Sequence, residues 1–216
     1  MGTRYRVREH QLHQIRQEMN KMTHRFAETV FTNSVRIQQL KAGSLEHNEK
    51  LQARFGPNDE LGSREINFIA NRDSFYLATV SETGWPYVQH RGGPAGFLKV
   101  LGQKSLAYAD FRGNTQLVST GNLSVNDRCS LILMDYPNRR RLKILGHIRI
   151  ENVADVADEI LTSVTLPGYG AVVERVFFID LLAYDWNCPQ HISRRYTEAE
   201  YLEQSAKARN VSENSL

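Results

Sequence analysis

The sequence predicts a mainly β domain with added helices, folded as an antiparallel barrel. Between residues 74 and 185, apolar runs of strand length follow one another and are separated by short polar turns. Long helices do not alternate with these runs, which argues against a doubly wound parallel sheet. With 216 residues, of which 41% are hydrophobic, the chain can bury one core of ordinary size.

Composition excludes several classes of protein. The formal net charge of +3 gives no basis for binding nucleic acid or a membrane surface. Cys129 and Cys188 form no CxxC motif, so we expect neither a disulfide scaffold nor a metal site. The first residues lack the apolar segment of a secretory signal, and no run approaches the roughly 18 apolar residues of a membrane span. We therefore expect a cytoplasmic protein.

The chain before Ser63 predicts helices. Apolar residues at helical spacing in residues 8–42 indicate one or two amphipathic helices, the second capped at Asn33 and ended at Gly43. Residues 44–61 are polar and irregular, and we expect a loop or an arm there. A short helix is predicted from Ser63 onwards, leading into the barrel.

Seven apolar runs are strand candidates, and three polar segments are helix candidates. Glycine in the segment Ser81–Gly84 suits a hairpin turn, because such turns need a positive φ. At the C-terminus, Thr197 and Glu200 fit a helix-capping box. The strand candidates are Ser74–Val80, Trp85–His90, Phe97–Val100, Ser105–Ala109, Cys129–Asp135, Arg141–Ile150 and Ala171–Asp185. The helix candidates are residues 114–123, residues 153–163 and the tail from Thr197. The predicted parts are a helical N-terminal arm (1–62), the barrel domain (63–196) and a C-terminal helix and tail (197–216).

The segment Gln89–Lys99 interrupts a predicted strand with three glycines and a proline. Glycine in a strand often marks the close approach of a ligand or another backbone. Arg91 and Lys99 flank these glycines, and exposed backbone N–H groups beside two cations suit a phosphate. An ordinary loop, in which the glycines only serve turn geometry, explains the pattern equally well.

A second polar cluster covers residues 109–116 and continues to Ser119 and Asn122. Its Asp, Asn, Gln and Ser side chains, placed between a strand end and a helix start, are able to hydrogen-bond a polar heterocycle. Ordinary capping and turn residues have the same composition, and caps are the commoner case. The residues alone do not decide between the two interpretations.

Two further segments carry candidate chemistry. The basic run Arg139–Lys143 is interpreted as a structural strand edge or an edge that approaches a phosphate, since it lacks the interleaved aromatics of a nucleic-acid site. Trp186 and His191 follow a strongly apolar strand and suit a pocket for a flat ring. Cys188 and His191 lack the further partners that a catalytic dyad or a metal site needs.

These segments, taken in order, resemble the pyridoxamine 5′-phosphate oxidase-like FMN-binding family. The resemblance covers Phe68–Arg195, about three-fifths of the chain, and rests on HRGGPAGFLKV, ADFRGN, DYPNRRRLKI and YDWNCPQHISRR. It implies a six-stranded antiparallel split β-barrel that forms an obligate homodimer. It also implies two FMN molecules, bound without a covalent bond at the dimer interface.

The resemblance assigns cofactor-binding roles by position. It places Arg91 and Lys99 near the FMN phosphate and flavin, Asp110 beside the isoalloxazine ring, and Trp186 of the second subunit over the cofactor. No catalytic residue and no metal ligand is assigned. The complete set of implied cofactor-binding residues is Gln89, His90, Arg91, Gly92, Lys99, Ala109, Asp110, Arg112, Asn114, Gln116, Ser119, Asn122, Trp186, Gln190, His191, Arg194 and Arg195.

The chain also departs from the pattern of the true oxidases. Thr115 and Gln116 stand where those enzymes place an Arg-Lys pair for the FMN phosphate, and we expect Arg112 or the run Arg139–Lys143 to compensate. The Arg-x-His pair that grips the vitamin B6 phosphate is not reproduced, and the closing Arg-Leu-x-Pro signature is missing. The expected function is therefore an FMN-dependent oxidoreductase acting on another, unidentified small molecule. The alternative is a flavin- or haem-binding carrier or sensor without turnover.

Overall fold

The fold is a strongly curved antiparallel sheet with helices around it. The structure is a computed structural model that describes residues 24–54, 56–186 and 188–213; the part of the predicted N-terminal helices before residue 24 lies outside this range. The helices are α1 (Arg25–Val30), α2 (Asn33–Lys41), α3 (Leu45–Gln52), α4 (Ser63–Ala70), α5 (Val118–Val125), α6 (Asp158–Val164) and α7 (Glu198–Glu213), with a 3₁₀ turn at Val153–Asp155. The strands are β1 (Ser74–Val80), β2 (Pro86–Gly92), β3 (Lys99–Gly102), β4 (Ser105–Phe111), β5 (Arg128–Asp135), β6 (Arg140–Asn152) and β7 (Val173–Trp186).

All seven strands belong to one sheet, in the order β2-β1-β5-β6-β7-β4-β3. Every pair is antiparallel, and no backbone ladder joins β2 to β3 within the described residues. The predicted hairpin turn is confirmed, because Gly84 at φ +86° donates its N–H to the Ser81 carbonyl between β1 and β2. The predicted barrel-like, mainly antiparallel β architecture is thus confirmed at the level of the sheet.

The strand count implied by the family resemblance was wrong by one. The sheet has seven strands in the described part of the chain, whereas the resemblance implied six. The residue pattern had marked the short additional run, which the structure places at Lys99–Gly102 as β3, paired with β4. β3 has only four residues and a register irregularity, so its backbone pairing is short.

Two local predictions also need correction. Residues 44–61 were expected to be a loop or an arm, but Leu45–Gln52 form α3. Good helix formers and an i,i+4 ion pair between Glu46 and Lys50 stabilise this helix. The helix predicted from residue 114 begins only at Val118, because Thr115 and Leu117 have left-handed φ values of 58° and 51°.

Alternating burial along the strands creates the core. On β5, for example, Cys129, Leu131 and Leu133 point inwards while the intervening residues are only partly buried. The largest apolar cluster joins the inner faces of the strands to Phe68 and Ile69 of α4. This packing fixes α4 against the sheet and holds the strand ends that carry the polar residues described below.

The N-terminal helices attach to the sheet through a few specific contacts. Phe26 of α1 is buried against β7 and lies 4.6 Å below the Lys143 ammonium group. The Tyr184 N–H on β7 donates to the Asn58 carbonyl, so the segment between α3 and α4 also follows this strand. Within residues 24–54, 56–186 and 188–213, no helix combines the length and the hydropathy that crossing a bilayer requires.

Candidate functional site

A polar cavity of about 270 Å³, called the Arg91 cavity below, opens where β2, β4, β7 and the start of α5 meet. It combines residues that lie far apart in sequence, because the curved sheet brings β2 close to β4 and β7. The lining residues are Gln89, Arg91, Asp110, Phe111, Gly113, Asn114, Thr115, Leu117, Ser119, Thr120, Glu174 and Arg175. Five of them were assigned to the cofactor by the resemblance: Gln89, Arg91, Asp110, Asn114 and Ser119.

A buried carboxylate between two arginines forms one wall of the cavity. Arg91 Nη1 donates to Asp110 Oδ1 at 2.8 Å. Arg175 donates to the other oxygen, Oδ2, through Nε at 2.9 Å and Nη2 at 2.7 Å. Asp110 is only 5% exposed, and its two oxygens are satisfied by charged donors on two different strands, as a buried carboxylate requires.

The ion pairs continue beyond Asp110 along the edge of the cavity. Arg175 Nη2 lies 3.2 Å from Glu174 Oε2, and Arg112 Nε donates to Glu174 Oε1 at 2.8 Å. Arg112 and Glu174 are more exposed than Asp110, and the pairing with Arg112 lowers the pKa of Glu174. Counting each side chain once, three cations and two anions alternate, which leaves one excess positive charge beside the cavity.

Neutral hydrogen-bonding groups form another part of the cavity lining. The Ser119 hydroxyl, in the first turn of α5, donates to Gln89 Oε1 at 2.8 Å. Asn122, one turn further, is buried and donates to the Thr79 hydroxyl at 3.0 Å, so it links α5 to β1. Ser119 and Gln89 therefore line the cavity, whereas Asn122 fixes the helix that carries Ser119.

The loop that leads into α5 has an unusual backbone. Thr115 and Leu117 both have positive φ, a conformation that costs non-glycine residues free energy and that clusters at binding sites. The Asn114 side chain accepts the Gln116 N–H at 3.2 Å and shapes this loop. Gln116 itself does not line the cavity in the described structure.

A smaller cavity of about 200 Å³ lies on the other side of Arg91. Its lining includes three more of the implied cofactor residues, His90, Gly92 and Ala109, together with Tyr108. Burial raises the pKa of the Tyr108 hydroxyl. In the described residues, neither this hydroxyl nor Arg91 Nε has a hydrogen-bond partner, although both are buried.

Trp186 lies apart from both cavities and contacts its own chain. Its indole N–H donates to Glu65 Oε1 at 2.7 Å, and its ring packs edge-on against Phe68 with 4.8 Å between centroids. The Arg64 guanidinium lies 4.2 Å above the same ring. Glu65 also caps α4 by accepting the Gly62 N–H at 3.1 Å, so Trp186 is tied to the start of that helix.

The other C-terminal candidates lie near Trp186 in sequence and are exposed. Gln190, His191 and Arg194 show no contact with either cavity in the described structure. The Arg195 guanidinium lies 5.0 Å from the Tyr136 ring, beside a third cavity of about 440 Å³. Within one chain, these residues and Trp186 are therefore not brought to the Arg91 cavity.

Two sets of side chains that were expected to bind the phosphate lie elsewhere, and one side chain in the cavity was missed. Lys99, on β3, pairs with Ala107 and lines neither cavity in the described structure. The basic run was expected to compensate for Thr115 and Gln116, but its members Arg140 and Lys143 pair with Asp135 and Asp185. Sequence reasoning missed Arg175, although the charged pair Glu174-Arg175 at the start of the otherwise apolar strand β7 was a visible signal.

Comparison with known proteins identifies the family. A family profile described as "Pyridoxamine 5'-phosphate oxidase" matches residues 66–177, about half of the chain, and this stretch includes β2, β4 and α5. The chain belongs to this family. All the residues that line the Arg91 cavity fall within the matched stretch, and Arg175 lies close to its C-terminal end. A comparison with curated proteins gives no match.

Solved structures with a similar fold include three from different bacteria. HupZ from Group A Streptococcus is 14% identical and has a TM-score of 0.48, covering 63% of this chain and 99% of that one. An FMN-binding protein from Syntrophomonas wolfei is 13% identical, with a TM-score of 0.43 and coverages of 69% and 97%. A protein from Clostridium acetobutylicum, related to general stress protein 26, is 14% identical, with a TM-score of 0.40 and coverages of 62% and 92%. At this level of similarity, none of them indicates what the present chain binds.

Proposed function

We propose that this protein binds FMN without a covalent bond and that the Arg91 cavity receives the phosphate end of the cofactor. One observation carries the proposal. One cavity is lined by five residues that the family resemblance assigned to the cofactor and that come from two strands, a loop and a helix: Gln89, Arg91, Asp110, Asn114 and Ser119. Three further implied residues, His90, Gly92 and Ala109, line the adjoining cavity, on the other side of Arg91.

The chemistry of the cavity fits a phosphate monoester. Arg91 lines the cavity with 17% of its side chain exposed, so an anion in the cavity can contact its guanidinium. The first N–H groups of α5 supply neutral donors beside the same cavity. The excess positive charge of the neighbouring ion pairs favours an anion over a neutral ligand.

A second copy of the chain is part of the proposal. A cavity of about 270 Å³ is smaller than the roughly 300–1,000 Å³ of typical small-molecule sites, so one chain does not enclose a whole FMN. Arg175 and Trp186 lie eleven residues apart on β7, about 36 Å along an extended strand. Trp186 also lines neither cavity of its own chain, so in this proposal it reaches the cofactor from a partner chain, as the resemblance implies for a homodimer.

The proposed activity is that of an oxidoreductase. Bound FMN would supply hydride or electron transfer, while the side chains of this protein bind the cofactor and orient it. The contacts that the true oxidases use for the vitamin B6 phosphate are not reproduced after Trp186. We therefore propose a different small-molecule substrate or electron donor for this protein.

The first test is the cofactor content of the purified full-length protein. Its absorbance spectrum and the mass of the molecule released on denaturation should identify one FMN per chain. Arg91→Ala should lose most of the flavin, whereas Arg128→Ala should keep it, because Arg128 contacts Asn126 at an exposed turn. A protein that retains no flavin after incubation with FMN and removal of the unbound FMN would refute the proposal. A Soret band would favour the haem-binding alternative.

The second test concerns turnover. Under anaerobic conditions, NADH or NADPH should bleach the bound flavin faster than the same concentration of free FMN. Bound flavin that neither donor reduces faster than free FMN contradicts the proposed use of a nicotinamide donor. Dithionite reduction serves as the positive control for a flavin that is accessible to reductant. Photoreduced ferredoxin then tests a protein donor, and a flavin that it also leaves oxidised favours the carrier or sensor alternative.

A further inference from the structure

We propose that Arg175 is a positioning residue that keeps Arg91 available for a phosphate, and that it thereby makes the cavity select FMN over riboflavin. The inference rests on the proposed function and adds a residue outside the motifs that carried the family resemblance. Its basis is the way in which two arginines share the carboxylate of Asp110.

The geometry divides the carboxylate between its two partners. Arg175 directs Nε and Nη2 to the same oxygen, Oδ2, at 2.9 and 2.7 Å. Arg91 uses a single nitrogen, Nη1, on the other oxygen, Oδ1, at 2.8 Å. Arg175 thus occupies the oxygen that Arg91 would need in order to form a two-point contact with Asp110.

Removal of Arg175 should change this arrangement in a defined way. Asp110 is buried, and its hydrogen-bond partners in the described structure are Arg91 and Arg175. Without Arg175, the free oxygen Oδ2 would remain unsatisfied unless Arg91 turned to contact both oxygens, because a buried carboxylate requires compensation. Arg91 would then direct its donors to Asp110 and offer fewer of them to the cavity.

Arg175 is itself held in place by the strands. It lies directly opposite Asp110 in the β4–β7 register, just before the irregularity between Asp110 and Phe111. Glu174 accepts a further contact from Arg175 Nη2 at 3.2 Å and is anchored in turn by Arg112. The position of Arg175 is therefore set by backbone pairing and a second carboxylate, independently of any ligand.

Flavin titrations test the inference, because riboflavin lacks only the phosphate. Apo wild-type protein, Arg175→Gln and Arg175→Lys are titrated with FMN and with riboflavin, following quenching of flavin fluorescence. The FMN affinity of Arg175→Gln should fall by about tenfold or more, since a charge-assisted contact to the phosphate is weakened. Riboflavin affinity should stay within about twofold, because no phosphate contact is involved. Arg175→Lys should retain part of the preference for FMN that Arg175→Gln loses, since lysine supplies a charge but no two-point contact.

A matched control separates selectivity from stability. Arg140 also directs two nitrogens, at 3.0 and 2.6 Å, to one oxygen of a buried aspartate, Asp135, on the β5–β6 hairpin. Arg140→Gln should therefore cost stability without changing the ratio of FMN to riboflavin affinity. Equal losses of both affinities in Arg175→Gln would show a merely structural role and would overturn the inference.

The outcomes also separate the inference from the proposed function. Wild-type protein that fails to bind FMN refutes the proposed function itself. Wild-type protein that prefers FMN, together with an unchanged preference in Arg175→Gln, overturns only the role of Arg175. If Arg175→Gln does not fold, Arg175→Lys is titrated in its place. A ratio of FMN to riboflavin affinity in Arg175→Lys equal to that of the wild type likewise overturns the role of Arg175.

Discussion

Arg91 and Asp110 are joined by a 2.8 Å ion pair, although four strands separate β2 from β4 in the hydrogen-bonded order of the sheet. Such a contact requires the sheet to curl until its outer strands face each other. The Arg91 guanidinium also lies 5.4 Å from the Phe177 ring of β7, so the contact crosses the interior of the curve. Side chains therefore complete a closure that the backbone ladders leave open, and the Arg91 cavity lies at that closure.

Loss of the central carboxylate should destabilise the protein strongly. Asp110→Ala leaves two partly buried arginines without their shared partner, and we expect the free energy of unfolding to fall by about 3 kcal/mol. Urea denaturation monitored by circular dichroism measures this change. Glu46→Ala, which removes an exposed pair with Lys50, should lower the denaturation midpoint far less than Asp110→Ala does, because such pairs contribute only about 0.2–0.5 kcal/mol. Equal midpoints for the wild type, Asp110→Ala and Glu46→Ala would mean that the ion pairs of Asp110 contribute nothing to stability.

The exposed outer side of β2 should lie in the proposed dimer interface. Val88 is 60% exposed and lies next to Ala78 on β1, and Tyr76, on the same face of β1, is 40% exposed. Apolar side chains exposed together on neighbouring strands indicate a protein contact surface. Val88→Asp should convert the dimer into monomers and reduce FMN content, measured by light scattering coupled to gel filtration.

The control for the interface is Leu40→Asp, which places the same charge on an exposed apolar position of α2. It should leave the mass and the flavin content as in the wild type. A Val88→Asp protein that remains dimeric would place the interface on another surface of the molecule.

Stability should depend on pH through His24. His24 Nδ1 accepts the Ala27 N–H at the start of α1, and Nε2 lies 2.8 Å from the Asn58 side-chain amide. Burial is the main cause that lowers the pKa of His24 below 6.5. The unfolded chain therefore binds the proton first as the pH falls, so stability is unaffected by this group above about pH 6.5 and decreases below it.

Urea denaturation between pH 7.5 and 5.0, at constant ionic strength, measures this dependence. His24→Asn keeps a side chain that caps helices well and does not titrate in this range. The variant should lose less stability than the wild type between the two ends of the range. Parallel curves for the two proteins would contradict the assignment to His24.

Gly146 should tolerate no side chain. It lies at the register irregularity between Leu145 and Gly146 on β6, and a Cβ there would be 2.6 Å from the Asp180 carbonyl oxygen. Since a backbone atom cannot move aside cheaply, Gly146→Ala should lower the free energy of unfolding by about 2 kcal/mol. Gly102→Ala is the control, because a Cβ at that position meets no atom within 4 Å. Similar stabilities for the two variants would show that β6 shifts to accept the methyl group.

Local sequence patterns predicted those elements that depend on neighbouring residues. The Gly84 hairpin turn and the capping of α7, where the Glu200 carboxylate accepts the Thr197 N–H at 2.8 Å, agree with the predictions. The late start of α5 was missed because the left-handed backbone of Thr115 and Leu117 has no composition signal. Neither residue type favours that conformation, so only the surrounding structure maintains it.

The candidate site was predicted in part. Gln89, Arg91, Asp110 and Ser119 were selected from motifs, and the fold brings these four to one cavity. Cofactor binding by these residues remains a prediction, as it does for Trp186 and the residues after it. Arg175 was missed because its importance depends on lying opposite Asp110, a pairing between residues 65 positions apart.

The sequence by itself determined the strand pattern, the polar clusters and, through ordered motifs, the family. Each of these is encoded in residues that are close together along the chain. Only the tertiary structure decided that Arg91 and Arg175 share Asp110, and that Trp186 lies at the far end of β7 from them. The reason is physical: strand register and sheet curvature result from packing over the whole core, so they fix contacts that no local pattern specifies.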